Sequence, residues 1–371
     1  MKIPASASEP AAAGAPGDLT LAGAAAPGRP EQPFDSTTTA HDVAMAELRR
    51  LIALWLRHEP GARLGEDPEE LHQLRVATRR IDATLGLFKR QLPPALVRAR
   101  KTTKGVLRSL GAARDVDVQL AELARYCADL PEQEQAAAEP LRGYLHSERS
   151  RARARMVRAL DSEPTRRWLD TLMQAAAESG ATNGADPASI VMPERVQRRY
   201  RKLRKSVGRL RSKSSMEDYH QVRRRAKQLR YATECGAGMF GKPADDLLKA
   251  LRRLQDRLGA HQDSYMAQNR LAALAGDPAS GLPPATLFLM GRLAEQHARV
   301  NAQVRETLVR SWRKVAGKRW KALRIRLGQL TDTASEPSTA PPGQPEAAPI
   351  ATPDPTPAGR VPEPEARPVK H

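Results

Sequence analysis

Two basic stretches of the chain place a histidine and its neighbours in the same order. They read "LHQLRVATRR" at 71–80 and "YHQVRRRAKQ" at 219–228. In each stretch the histidine precedes one cation by three residues and another by seven, so the three side chains lie on one side of a helix. Arginine binds phosphate oxygens through a planar fork, lysine binds them as a point charge, and histidine adds a hydrogen-bond donor. The pattern therefore predicts a surface that binds a polyanion.

Further cations extend this pattern along neighbouring helices. In the two stretches themselves the residues on the shared face are His72, Arg75 and Arg79, then His220, Arg223 and Lys227. Arg230, two residues beyond the second stretch, lies on the same side. Adjacent helices carry similar stripes, formed by Lys101, Lys104 and Arg108, by Lys249 and Arg252, and by Lys202, Lys205 and Arg209. Like charges at this spacing destabilise a helix by a few tenths of a kcal/mol per pair, and a bound polyanion would relieve the repulsion. The alternative interpretation is a set of solvated faces that keep a basic protein in solution.

The two basic stretches belong to a longer repeat. "LGAARD" at 110–115 and "LGAHQD" at 258–263 are 148 residues apart, and the same distance separates His72 from His220. Two motifs that share one offset indicate an internal duplication. We therefore interpret the stripes as two halves of one binding surface.

The "LGA" motifs themselves have two interpretations. Glycine often follows the last turn of a helix and aspartate often caps the next one, so Gly111 and Gly259 are predicted to end helices that Asp115 and Asp263 follow as caps. The alternative is that the two aspartates hold the basic side chains in place.

Helical patterns fill the central part of the chain, and no segment has the pattern of a strand. Asp67 before Pro68 and Ser214 before Glu217 are typical helix starts. The predicted helices are 40–58, 68–91, 94–110, 115–129, 132–160, 164–178, 190–211, 215–239, 243–258, 263–275 and 283–330, the last of which has a candidate break. The predicted fold class is all-α.

Charge and proline are unevenly distributed along the 371 residues, which carry a net charge of +19. Both ends are rich in proline and alanine and poor in basic residues, which predicts disordered tails. The stretch "ESGATNGADPASIVMP" at 178–193 concentrates turn residues and predicts an internal boundary. The predicted organisation is a tail at 1–39, a basic domain at 40–331 with one helical bundle at 40–180 and another at 190–331, and a tail at 332–371.

Several classes of protein are disfavoured by the sequence. The two cysteines, Cys127 and Cys235, are far apart, which argues against a disulfide framework or a cysteine metal site. The chain contains no apolar run of membrane-spanning length, and the segment near its start makes a poor signal peptide, so we expect a cytoplasmic protein without membrane contact. Since no phosphate-binding glycine loop or zinc-protease motif is present, we expect no enzymatic activity, cofactor or metal. The alternative is a phosphohydrolase that uses the two motif histidines with Asp115 and Asp263.

The motifs "LHQLRVATRRIDATLGLF", "LGAARDVDV", "YHQVRRRAKQLRYATE" and "LGAHQDS" resemble those of the CHAD family, the conserved histidine α-helical domain. The resemblance covers about 41–330. It implies two four-helix bundles related by pseudo-twofold symmetry with a basic cleft between them. It also implies binding of inorganic polyphosphate and, in several members, association with polyphosphate granules. The positions that correspond to the family's histidine and basic residues are His72, Arg75, Arg79 and Arg80, then His220, Arg223, Lys227 and Arg230.

Nucleic acid is the alternative polyanion. Net charge favours it equally, but aromatic residues make up only 4% of the chain, which leaves little for base stacking. We therefore expect at most weak, non-specific binding. Some CHAD proteins also carry a CYTH triphosphatase domain with a Glu-x-Glu-x-Lys signature; this sequence lacks that signature, so a stand-alone CHAD domain is expected. The sequence predicts no oligomeric state.

Overall fold

The chain is all-α, as predicted from the sequence. The computed structural model describes residues 37–178, 186–211 and 213–335, and the only β pairing in these ranges is an isolated bridge between Thr39 and Pro187. The helices are α1 (Ala40–Leu64), α2 (Pro68–Leu87), α3 (Pro94–Ala128), α4 (Glu132–Gln135), α5 (Glu139–Asp161), α6 (Glu163–Ala177), α7 (Ala188–Val207), α8 (Met216–Cys235), α9 (Ala237–Phe240), α10 (Lys242–Ala275), α11 (Pro284–Ala316) and α12 (Lys318–Ser335). Throughout the described ranges, no helix combines the length and the apolar character that a membrane span requires.

Local capping signals begin the two helices that carry the basic stretches. Asp67 accepts a hydrogen bond from the backbone N–H of Glu69 at 2.8 Å, and proline occupies the first turn of α2. The cap of α8 is Ser215, which exchanges hydrogen bonds with Asp218. This capping box lies one residue later than the predicted one, because Ser215 directly precedes the first residue of α8 and has the extended backbone of a cap.

Several predicted helix ends were wrong. α3 and α10 run without a break through Gly111 and Gly259, so these glycines do not cap helices and Asp115 and Asp263 do not begin new ones. α1 continues past Pro60 to Leu64. Strong helix formers on both sides of these residues offset the local cost of a single glycine.

The ends of the domain also differ from the prediction. α7 begins inside the predicted boundary segment, and α12 extends four residues into the predicted C-terminal tail. The long helix predicted at 283–330 is divided at Gly317 into α11 and α12. Residues 1–36 and 336–371 of the predicted tails and residues 179–185 of the boundary segment lie outside the described residues.

Helix positions repeat with the offset of the sequence motifs. α7, α8 and α10 begin 148 residues after α1, α2 and α3, respectively. The bridge between Thr39 and Pro187 joins positions related by that same offset. Its two backbone hydrogen bonds, from Ala40 to Asp186 at 2.9 Å and from Ala188 to Thr38 at 3.0 Å, are also related by it. Equivalent positions exchange equivalent bonds, which is the pattern of a local two-fold axis and supports the duplication.

The helices of each repeat pack mainly against one another. In the first repeat α2 packs on α1 and α3, and in the second α8 packs on α7 and α10. The repeats meet where α2 contacts α8 and α1 contacts α7. One continuous core includes residues from both repeats, such as Leu74, Leu85, Val222 and Leu251, so the division into two bundles stays a prediction.

The order of packing places α3 and α10 on opposite sides of the pair formed by α2 and α8. α3, α2, α8 and α10 contact one another in that order, whereas α3 and α10 make no extended contact among the described residues. We call the space above α2 and α8, between α3 and α10, the groove. Its floor consists of the two helices that carry the basic stretches.

Candidate anion-binding site

α2 and α8 bring equivalent cations of the two repeats together. Arg75 and Arg223 occupy equivalent positions, as do Arg79 and Lys227, because each pair is separated by the repeat offset. Burial lowers the pKa of Arg75, and the nearby charges of Arg79 and Arg223 lower it further. Burial likewise lowers the pKa of Arg223, with Arg79 contributing in the same direction. We call these four residues the cation cluster.

Lys227 shows how strongly the cluster disfavours one more positive charge. Burial and the charges of Arg79, Arg223 and Arg75 lower the pKa of Lys227 to about 5, although Asp263 acts in the opposite direction. At neutral pH this amine is therefore mostly uncharged. An amine held in this state gains a proton readily when an anion approaches, since a nearby negative charge raises its pKa.

Gly111 and Gly259 face two arginines of the cluster. A methyl carbon placed on Gly111 would lie 3.1 Å from Nη1 of Arg75, which is closer than an ordinary contact, and one placed on Gly259 would lie 3.9 Å from Nη2 of Arg223, which is an ordinary contact. The absence of a side chain at Gly111 therefore lets the guanidinium of Arg75 lie close to the backbone of α3, whereas alanine would also fit at Gly259. Both "LGA" motifs lie within a helix and not at a helix end, and the first is a close-approach site.

Asp115 and Asp263 lie one helical turn beyond these glycines. Both side chains are exposed. Burial among protein atoms nevertheless raises the pKa of Asp263, and Arg223 and Lys227 oppose that shift. A side chain that is surrounded by protein yet accessible to solvent fits a position inside the groove. Among the described residues no cation lies within ion-pair distance of either aspartate. Their charges act on the cluster at longer range, and a role in holding the basic side chains stays a prediction.

Two guanidinium groups of the cluster have unused hydrogen-bond donors. The Nε atoms of Arg79 and Arg223 are buried and have no hydrogen-bond partner among the described residues. A buried donor without an acceptor costs about 1–3 kcal/mol, and more when it is charged. A bound oxyanion would supply the missing acceptors.

The two motif histidines have different surroundings. Burial lowers the pKa of His72 to about 4; Glu69 opposes this shift, and Arg114 contributes to it. Nδ1 of His220 lies 3.1 Å from Oε1 of Gln262. Arg114 and Gln262 occupy equivalent positions of the two "LGA" motifs, so the repeats differ in the residue that faces each histidine. His72 is therefore neutral at pH 7.

Arg80 and Arg230 make contacts that differ from those of the cluster. Nη2 of Arg80 lies 2.5 Å from a carboxylate oxygen of Glu234, and Nε of Arg230 lies 3.7 Å from the other. Both guanidinium groups also lie over the ring of Tyr231, at 5.9 and 5.1 Å from its centroid. Arg80 therefore connects α2 to α8. Glu234 was not predicted as a site residue, because the prediction relied on residues that recur in both repeats and the first repeat has Gly86 at the equivalent position.

Exposed cations continue the site along both walls of the groove. At about 100° per residue, the cations predicted on α3 lie within about 80° of Gly111 around the helix axis, and those on α10 lie equally close to Gly259. All are exposed except Arg252, which is partly buried. These residues are Lys101, Lys104, Arg108, Lys249 and Arg252.

The third predicted stripe, formed by Lys202, Lys205 and Arg209, lies outside the groove. Nη1 of Arg225 donates a hydrogen bond to the backbone carbonyl of Lys202 at 3.0 Å, which places this part of α7 beside Arg225. Arg225 lies about 200° around α8 from Arg223. The described contacts therefore place Lys202 and Lys205 on the side of α8 that faces away from the cluster, and Arg209 lies beyond the last residue of α7.

Known proteins resemble this chain in sequence and in fold. The sequence model of the CHAD domain matches residues 46–272. The structure of PptA from Streptomyces chartreusis is similar, with 22% identity, a TM-score of 0.60 and coverage of 74% of this chain and 100% of that chain. The CHAD domain from the plant Ricinus communis is also similar, with 24% identity, a TM-score of 0.56 and coverage of 82% and 97%. No curated protein matches the sequence. The two structural likenesses concern the fold.

Proposed function

The chain belongs to the CHAD domain family, and from this premise we propose that it binds inorganic polyphosphate in the groove and does so without catalysing a reaction. The observation that best supports the proposal is the cation cluster. Arg79 and Arg223 have buried donors without acceptors, and Lys227 is held mostly uncharged by its neighbours. Each of these features costs stability that a bound oxyanion would restore.

The groove suits an extended chain of phosphates. The cluster lies on its floor, and the exposed cations of α3 and α10 lie along its walls. In this proposal the cluster holds consecutive phosphates by charge-assisted hydrogen bonds, and the wall cations neutralise phosphates further along the chain. His72 donates a hydrogen bond as a neutral group.

A salt titration of polyphosphate binding tests the proposal. Binding of a linear polyanion releases counterions, so the logarithm of the association constant falls linearly with the logarithm of the salt concentration. We expect that changing Arg75, Arg79, Arg223 and Lys227 together to glutamine abolishes measurable binding at 150 mM salt. Each lost phosphate contact should also reduce the slope of this salt dependence by about 0.7. The matched control changes four exposed cations outside the groove, Arg151, Arg155, Arg299 and Lys318, to glutamine. Equal losses in the two variants would show that the whole surface binds, and the groove proposal would then be wrong.

Competition with nucleic acid tests the selectivity of the site. Tyr231, the aromatic residue beside the cluster, is buried under Arg80 and Arg230. It therefore offers no free face on which a base can stack. We expect long-chain polyphosphate to displace single-stranded DNA and RNA at equal phosphate and salt concentrations, and displacement in the reverse direction would favour nucleic acid as the ligand.

Two further parts of the proposal concern chemistry and location. Incubation of the protein with polyphosphate, with and without magnesium or manganese, is expected to release no phosphate; a release that depends on His72 or Asp115 would favour a phosphohydrolase. A fluorescent fusion is expected to move to polyphosphate granules in cells that accumulate them. The quadruple glutamine variant, which lacks the cluster, provides the control once its melting curve has shown that it folds.

A further inference from the structure

Beyond the cation cluster, α3 and α10 line a cavity. Its volume is about 230 Å³, and α5 and α11 complete its walls. Gln119 and Ala267, which line it, lie one helical turn beyond Asp115 and Asp263. The cavity is therefore next to the groove but separate from the cluster. Its apolar wall is formed by leucines of a second core: Leu123, Leu141, Leu145, Leu274 and Leu293.

Three polar side chains on the wall make no hydrogen bond or ion pair with another described residue: Glu122, Tyr144 and Arg270. Glu122 and Tyr144 are partly buried, whereas Arg270 is exposed. Burial raises the pKa of the Glu122 carboxyl group; the charge of Arg125 opposes the shift, and Asp263 adds to it. Asp277, the other carboxylate of the lining, accepts a hydrogen bond from the backbone of Ala279. Glu122 is thus the one carboxyl group of the lining without a partner among the described residues, and it can accept hydrogen bonds from a cationic ligand.

The size of the cavity limits the ligand. A protein cavity of about 150 Å³ holds benzene. A volume half as large again holds an aromatic ring with about three further non-hydrogen atoms, which is a ligand of about nine atoms in all. The leucine wall suits the ring, and the carboxyl group suits a cationic end.

We propose that this cavity binds a small aryl-alkyl amine, with the ring between the leucines and the ammonium group at Glu122. The ammonium group supplies the hydrogen bonds and the positive charge that Glu122 lacks. None of the four residues of the cation cluster lines this cavity.

Calorimetric titration of the full chain with two probes tests the site. 2-Phenylethylamine and 2-phenylethanol each have nine non-hydrogen atoms, and only the amine is charged at pH 7.5. We expect saturable binding of both at one site per chain, with the amine about tenfold tighter because a charge-assisted hydrogen bond is stronger than a neutral one. In E122Q the two affinities are expected to become equal. E132Q, which removes the same charge from an exposed residue outside the cavity, should keep the tenfold difference.

A second variant tests whether the ligand lies inside the cavity. A267L places a larger side chain in the space next to Glu122 and is expected to weaken both probes at least tenfold. Its melting curve shows whether it folds, and E122Q tests the charge in an unaltered cavity. The proposal is overturned if neither probe saturates, if the preference for the amine survives in E122Q, or if folded A267L binds both probes as tightly as the unaltered chain does.

Discussion

Polyphosphate binding is expected to take up a proton at Lys227. Without ligand, burial and three arginines lower the pKa of this amine to about 5. A phosphate chain beside the amine adds negative charge and raises its pKa again. Because the complex binds a proton that the free protein lacks, the association constant falls as pH rises, between pH 5 and the pKa of Lys227 in the complex.

The size of the effect follows from the two pKa values. With a pKa of about 5, Lys227 is protonated in about one molecule in a hundred at pH 7. If its pKa in the complex returns to about 10.5, the uptake is close to one proton, and affinity falls about tenfold per pH unit. His72, whose pKa is about 4 in the free protein, adds about a quarter of a proton at pH 7 if its pKa returns to about 6.5.

Isothermal titration calorimetry in buffers with different ionisation enthalpies measures this uptake. Long-chain polyphosphate keeps the contribution of the titrating end groups small, and the variant K227M provides the comparison because it keeps the length of the side chain but cannot bind a proton. We expect the uptake at pH 7 to fall by about one proton in K227M. If K227M takes up as many protons as the unaltered protein, or if the affinity of the unaltered protein is constant from pH 6 to 8, the pKa of Lys227 is not lowered and the reasoning is wrong.

Four further predictions follow from the same contacts. K227M should stabilise the free protein at pH 7 by up to about 5 kcal/mol, since the unfolded chain binds a proton that folded Lys227 lacks; the gain shrinks as pH rises toward 10.5, and thermal melts at several pH values measure it. G111A should weaken polyphosphate binding several-fold by displacing Arg75, whereas G105A, where a methyl group meets no atom within 4 Å, should leave binding unchanged in the same assay. R80Q should lower the free energy of unfolding by about 2–3 kcal/mol, because it leaves Glu234 with only a weaker partner, and should preserve the salt dependence of binding, as denaturant and salt titrations would show. Neutralising Lys101, Lys104 and Arg108 should reduce the salt slope by about 2, and neutralising Lys202, Lys205 and Arg209 should leave it nearly unchanged.

The sequence was sufficient to predict the helical fold and the basic residues that α2 and α8 carry. It was not sufficient to predict several helix ends or the contacts that those basic residues make. Helical periodicity and capping residues predicted where α2 begins, because both signals come from neighbours in the chain. Gly111 was misinterpreted because a glycine that ends a helix and a glycine that admits a distant guanidinium have the same local context. Only the position of Arg75, on another helix, distinguishes the two.

The role of Arg80 was hidden for a related reason. In the sequence it is one of several cations beside a histidine, and its partner Glu234 is 154 residues away. An ion pair over that distance depends on how α2 and α8 pack, which neither periodicity nor composition specifies. The sequence therefore grouped Arg80 with the cluster, although its guanidinium already has a carboxylate partner.

The duplication explains why ligand-binding and structural cations differ in symmetry. At a two-fold axis each residue meets its own equivalent, so a duplicated chain brings like charges together there. Arg75 with Arg223 and Arg79 with Lys227 follow this rule, and the resulting repulsion makes the cluster suited to an anion. An ion pair between the repeats that lies off the axis could occur twice, since residue i of each repeat would meet residue j of the other. Here it occurs once, because the equivalents of Arg80 and Glu234 are Gln228 and Gly86. The substitution Q228R would give both repeats an arginine at this position, but the second arginine would have no glutamate partner because Gly86 occupies the equivalent of Glu234. The symmetric pairs, by contrast, can be substituted together and still present matched charges to a phosphate chain.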